Sequence, residues 1–184
     1  MIIHDHEQRT PEWYRARVGV ISASNFKIAR DRTKKGEWSA KARSLAAKIA
    51  IERISGDTQD DTYQTFAMKR GVELEPFAVS SFEVHTGLTV TPSGFITTDC
   101  GTYGASPDGL IGDEAGIEVK CPLSPDTVID VLLNQNHSEY MDQVQGCMWI
   151  TDRKEWHLTI YTPQLDGVGR SITCLLYTSP SPRD

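Results

Sequence analysis

Residues 105–122 read ASPDGLIGDEAGIEVKCP. Two short β-type runs flank a Gly-Asp-Glu-Ala-Gly stretch, the pattern of an antiparallel hairpin. With Gly112 to Gly116 as the turn, the hairpin axis passes near Glu114. Asp108 then faces Lys120 across the ladder, and Glu118, two positions from Lys120, lies on the same face. Val119 points to the opposite face, into a core, while its carbonyl stays at the same edge. A one-residue slip would scatter these groups, so the hairpin demands a sheet of defined register with one face buried.

The pattern around the hairpin says what such a sheet is built into. Thr10 is placed to cap a helix that starts at Pro11. Residues 39–55 are rich in helix formers, with Leu45, Ile49 and Ile54 as the apolar positions and Gly56 as the stop. Residues 65–86 read as helix, with Phe66, Val72, Phe77, Ala78 and Phe82 turned inward, Gly87 ending it, and Pro76 either starting a new segment or kinking the old one. The period then changes to short β-type runs between residues 88 and 122. Helical patterns return at 125–135 and 138–149, and EWHLTIYT, residues 155–162, alternates as a strand. The order of helices, hairpins, helices and strand predicts an α/β fold with a central mixed β-sheet flanked by helices.

A chain of 184 residues, 39% apolar and 24% charged, is long enough for one soluble domain with a proper core. It contains no apolar run of about 18 residues that could span a membrane, and its first residues lack the basic and apolar regions of a signal peptide. The four cysteines form no CxxC pair, so free thiols are expected rather than a zinc knuckle. The net charge of −6 argues against a protein that coats nucleic acid indiscriminately. It does not exclude an enzyme acting on DNA, since bound divalent ions reverse the local sign. The last ten residues, LLYTSPSPRD, lack the ordered cover that a terminal strand or helix would give. The expectation is one domain over residues 1–174, truncated at its C-terminus, followed by a non-native or disordered tail at 175–184.

The hairpin chemistry is specific in kind. Two carboxylates, Asp108 and Glu118, with the Val119 carbonyl make a hard, oxygen-rich site suited to Mg²⁺ or Mn²⁺ rather than zinc. A lysine beside the ion can hold an attacking water and stabilise developing negative charge. These parts fit hydrolysis of a phosphodiester.

Pro107-Asp108 and Glu118-Val119-Lys120 match the P-D…E-x-K pattern of the PD-(D/E)XK nuclease superfamily, whose restriction-endonuclease-like core is an α/β fold. In addition, WYRARVGVISAS, RGVELEP, GASPDGLI, IEVKCP and EYMDQVQGCMWIT occur in order between about residues 12 and 162. Together they resemble the phage-lambda-type alkaline exonucleases, the YqaJ-like viral recombinase family. That resemblance implies a metal-dependent 5′→3′ double-stranded DNA exonuclease that leaves 3′ single-stranded overhangs for phage-type homologous recombination. It implies Mg²⁺, with Mn²⁺ able to substitute and two ions per site, held by Asp108, Glu118, Val119 and Glu75, with Glu73 as a neighbouring competitor. Lys120 matches the family's catalytic lysine. Arg17, Ser24, Ser106 and Gln143 match its grip on the DNA 5′-phosphate, with Gln145 as an alternative to Gln143. The implied partners are double-stranded DNA ends, a single-strand annealing protein and copies of the chain in a homotrimer, without a membrane, in the cytoplasm of a bacterial host. The rival readings are a PD-(D/E)XK endonuclease of repair or restriction and a non-catalytic DNA-binding module on the same fold.

Overall fold

The computed structural model describes residues 1–59, 65–164 and 171–177, and side chains of the last stretch from residue 173. The helix signals read from the sequence are realised where they are local. Thr10 accepts the Trp13 amide at the start of α1, Pro11–Ala16. Ser39 caps α3, Ala40–Ser55, and Thr65 caps α4, Phe66–Thr86, which runs through Pro76. Gly56 and Gly87 end these two helices at φ 74° and 71°, a left-handed stop that costs glycine no steric penalty.

The helical faces differ from expectation at three positions. Ile54 is 87% exposed, because it sits five residues, about 140°, round the helix from buried Ile49. The buried polar residue of α3 is Glu52. Phe66 and Phe77 are exposed as well. Ala78 and Phe82, four residues apart, form the inward stripe of α4, and Phe77 lies about 100° off it.

The expected mixed α/β architecture is present as two compact units, each with its own four-stranded mixed sheet and helices. The first comprises Met1–Asp61, Ser93–Pro107 and Tyr140–Thr151. Its strands β1, Ile2–His4, β2, Ile21–Ser22, β3, Phe95–Thr97, and β4, Tyr103–Ala105, lie in the order β1-β3-β4-β2, with β2 and β4 parallel. A 3-10 turn, Ala23–Asn25, leads into the short helix α2, Phe26–Ala29.

The second unit comprises Thr62–Pro92, Asp108–Glu139 and Asp152–Asp184. Its strands β5, Gly109–Ile111, β6, Ala115–Lys120, β7, Glu155–Tyr161, and β8, Ser171–Tyr177, are neighbours in that order, with β6 and β7 parallel. Helix α5, Pro125–Asn134, belongs here too. Ala78 and Phe82 of α4 pack on Ile111, Ala115, Ile117, Val119 and Tyr161. These are odd-numbered positions of the strands, so one face of the sheet carries this core. Strand β8 continues past residue 174: Leu175, Leu176 and Tyr177 pair with His157, Trp156 and Glu155. Residues 175–177 of the expected tail are thus paired in β8. The remainder of the expected tail, 178–184, lies outside the described residues.

Candidate active site

The hairpin β5–β6 forms as expected, with a different axis. Gly109 pairs with Ile117 and Ile111 with Ala115, so the turn is centred on Asp113 and Asp108 stands level with Glu118, not with Lys120. The pairing has moved by an even number, which keeps every side chain on its expected face. Val119 is buried in the core and Glu118 and Lys120 share the other face, with Lys120 Nζ 2.7 Å from Glu118 Oε1. Asp108, just before β5, accepts the Val119 amide on Oδ2 at 2.7 Å. That bond takes the place of the next ladder rung and locks the carboxylate against the strand.

Three residues in the turn region had no signal in the sequence. Arg153 Nη1 donates to the carbonyls of Gly112 at 2.7 Å and Ala115 at 2.6 Å. The amides of Lys154 and Glu155 both donate to the Glu114 carbonyl. Turn carbonyls that would otherwise be left to solvent are thus tied to the start of β7, which holds the hairpin to the sheet.

Electrostatically the edge is strongly acidic. Burial, then the charges of Glu118 and Glu75, push the Asp108 carboxyl well above its usual range, against the pull of the Lys120 ammonium and the Val119 amide. Glu75, on α4, is therefore near enough for its charge to be felt at Asp108. Among the described residues no three His, Cys, Asp or Glu side chains are gathered closely enough to enclose an ion by themselves. The oxygen-only donor set nevertheless fits a small hard cation, which draws on few carboxylates and keeps much of its water. Such a charge would also relieve the repulsion among Asp108, Glu118 and Glu75.

Arg17, Ser24, Ser106 and Gln143, scattered over the sequence, meet in one pocket of the first unit. It has a volume of about 160 Å³, and Gln8, Trp13 and Ser22 complete its polar lining. Arg17 ends α1 and is fixed on two sides. Its guanidinium lies 4.2 Å from the Trp13 ring centroid and 5.1 Å from that of Phe95, and Nη1 donates to Ser106 Oγ at 3.0 Å. Ser24 and Ser22 share a hydrogen bond of 2.9 Å. The buried Trp13 indole Nε1–H meets no acceptor among the described residues. Among the described residues no acidic side chain lines the pocket.

Gln143 reaches this pocket from α6, Met141–Thr151, because α6 lies close to the 3-10 turn that carries Ser24. Gly146 makes the approach possible: a Cβ there would stand 2.7 Å from the Phe26 ring and 3.1 Å from Ala23. Gln145, the alternative, lines a different cleft. Two residues apart on a helix point about 200° apart, so each glutamine has its own surface.

Glu52 is the residue that sequence reasoning missed in this unit. Its buried carboxylate accepts the amides of Gly19 and Gln59, both at 2.9 Å, while the adjacent Arg53 Nε donates to the Gly19 carbonyl at 2.8 Å. Gly19, at φ 70°, follows Arg17 by two residues. Its only sequence signal was a glutamate interrupting the apolar spacing of α3.

The fold is a mixed α/β one, and the comparisons narrow the class. The sequence model of the YqaJ-like viral recombinase domain matches residues 12–154. The chain belongs to that family. It is 32% identical to an alkaline exonuclease from Laribacter hongkongensis, LHK-Exo, over 92% of this chain and 83% of that one, with TM-scores of 0.80 for its complex with dAMP and 0.77 for a second crystal structure. A phage-related exonuclease from Haemophilus somnus, 16% identical, shares the fold over 87% of this chain and 85% of its own, with a TM-score of 0.69. No curated protein matches the chain at a significant level.

Proposed function

We propose that this protein is a 5′→3′ exonuclease on double-stranded DNA that releases mononucleotides and leaves 3′ single-stranded overhangs for phage-type recombination. The observation that carries the reading is the Arg17–Ser106 pair in its pocket. A planar cation stacked on Trp13, hydroxyls, an amide and an indole N–H converge there without a carboxylate. That donor set suits a terminal phosphate dianion and repels nothing about it. The resemblance to alkaline exonucleases supports the same reading.

In this mechanism Arg17, Ser24, Ser106 and Gln143 bind the 5′-phosphate, which sets the polarity of digestion. Ser106 is joined to Asp108 through Pro107 alone, so the phosphate grip and the carboxylate edge share one short stretch of chain. Asp108, Glu118, the Val119 carbonyl and Glu75 are the residues that would hold Mg²⁺, with Mn²⁺ able to substitute and two ions per site, and a bound divalent ion polarises the phosphoryl oxygen. Lys120, held by Glu118, orients the attacking water and offsets the negative charge that develops on the phosphorus oxygens. The reading extends to a single-strand annealing protein that receives the 3′ overhang, to a homotrimer around the DNA, and to action in the cytoplasm of a bacterial host.

The test is digestion of end-labelled linear duplex bearing a 5′-phosphate or a 5′-hydroxyl, beside a closed circular duplex, in Mg²⁺ and in EDTA. Expected are mononucleotides from the 5′ strand, faster digestion of the phosphorylated end, intact circles, and no reaction in EDTA. Cutting of closed circles would establish an endonuclease instead, and indifference to the 5′-phosphate would remove the pocket from the mechanism.

A further inference from the structure

The face of α6 that carries Gln145 and Trp149 takes no part in the phosphate pocket. It borders a cleft of about 400 Å³ in the first unit, lined by Phe26, Arg30, Trp38, Tyr103, Gln145 and Trp149. Phe26, Tyr103 and Trp149 pack against one another with ring centroids 5.3 to 6.3 Å apart. The helix packing expected for Trp149 therefore accounts for only part of the residue, which remains 57% exposed, and Trp38 is 47% exposed. Apolar surface gathered in this way marks a binding site more often than a bare surface.

Shape and charge together say what it binds. The cleft is within the size range of small-ligand sites, and its walls are ring surfaces suited to a flat partner. Arg30 lines the cleft, and the Arg32 guanidinium lies 3.0 Å from the Trp38 ring centroid. Seven basic and two acidic residues lie between positions 27 and 43 of a chain with net charge −6, and all seven basic residues are exposed. Asp142, the carboxylate on the lining, is neutralised by Arg30 at 2.7 Å. An aromatic slot beside a cluster of cations is the chemistry that takes a nucleobase on its π-face and the adjoining phosphates by charge.

We infer that this cleft holds an unpaired DNA base stacked against Trp149 and Trp38, with Arg32 and the lysines of the 31–38 loop on the flanking phosphates. The choice of DNA rests on the exonuclease reading above; the site itself is separate from the phosphate pocket and the carboxylate edge.

The experiment uses the full chain in EDTA, where no hydrolysis is expected, and reads tryptophan fluorescence. The probes are an oligothymidylate of about 12 nucleotides with a 5′-hydroxyl, an abasic oligomer of the same length, and an oligoglutamate peptide. Expected are quenching by the oligothymidylate, binding at least about fivefold weaker for the abasic oligomer, and a loss of at least about fivefold in both Trp38→Ala and Trp149→Ala. Trp38 lies outside the helices and strands, so retention of the wild-type thermal midpoint in Trp38→Ala separates lost stacking from lost folding. Equal binding of the abasic oligomer, preference for the peptide, or undiminished binding in the two variants would overturn the inference. A wild-type protein that fails to digest duplex in Mg²⁺ yet binds the oligothymidylate in this way would overturn only the exonuclease reading.

Discussion

Glu52 Oε2 accepts the Gly19 amide at 2.9 Å, and Arg53 Nε donates to the Gly19 carbonyl at 2.8 Å. Two consecutive residues of α3 thus hold both polar groups of one residue in the loop that follows Arg17. The clamp needs glycine there: at φ 70° a Cβ would stand 2.6 Å from Arg53 Cγ. Removing the carboxylate leaves buried amides without an acceptor, which costs about 1–3 kcal/mol. Glu52→Ala is expected to lower stability by about that amount in urea unfolding. Glu52→Gln retains an oxygen acceptor and should lose less. If Glu52 also positions Arg17, the alanine variant will lose preference for 5′-phosphorylated over 5′-hydroxyl duplex under conditions where it remains folded, and the glutamine variant will recover it.

Arg17 can be tested directly. Its guanidinium is stacked on Trp13 and bonded to Ser106, an arrangement that a lysine ammonium does not reproduce. Arg17→Lys is therefore expected to behave more like Arg17→Ala than like the parent. Both should lose the rate advantage of a 5′-phosphate in a digestion assay that compares the two ends.

The carboxylate edge predicts a separation of activity from folding. Asp108→Asn keeps an oxygen to accept the Val119 amide while removing one charge from the repulsive group of Asp108, Glu118 and Glu75. Its thermal midpoint in EDTA should be equal to or above that of the parent, with hydrolysis abolished. Lys120→Ala should lower turnover by at least about 100-fold, the scale of a positioned acid–base group, while duplex binding in EDTA persists. Unchanged turnover in Lys120→Ala would refute the role assigned to it.

His157 gives the protein a predictable response to acid. Burial lowers its proton affinity below the ordinary value of 6.5, against the pull of Glu155, and its ring packs edge-on to Phe82 at 5.1 Å. Above the unfolded pKa the imidazole is neutral in both states and contributes nothing to the pH dependence. As pH falls through that value the unfolded chain takes up a proton that the folded one resists, so stability declines. The thermal midpoint should fall between about pH 7.5 and 5.5, and should fall less in His157→Gln.

What the sequence determined by itself was local. The cap at Thr10, the glycine stops after α3 and α4, and the shared face of Glu118 and Lys120 each depend on neighbours within four residues, and each is found. The family was legible as well, because five ordered blocks carry it. Tertiary structure decided the rest. It shifted the hairpin axis to Asp113, where Arg153 and the amides of residues 154 and 155 tie down the turn. It buried Glu52 and left Ile54 and Phe77 exposed, since burial depends on what packs against a helix and not on hydropathy alone. It also gave Gln143 and Gln145 different surfaces, because only the close approach of α6 at Gly146 determines which side of that helix meets Ser24.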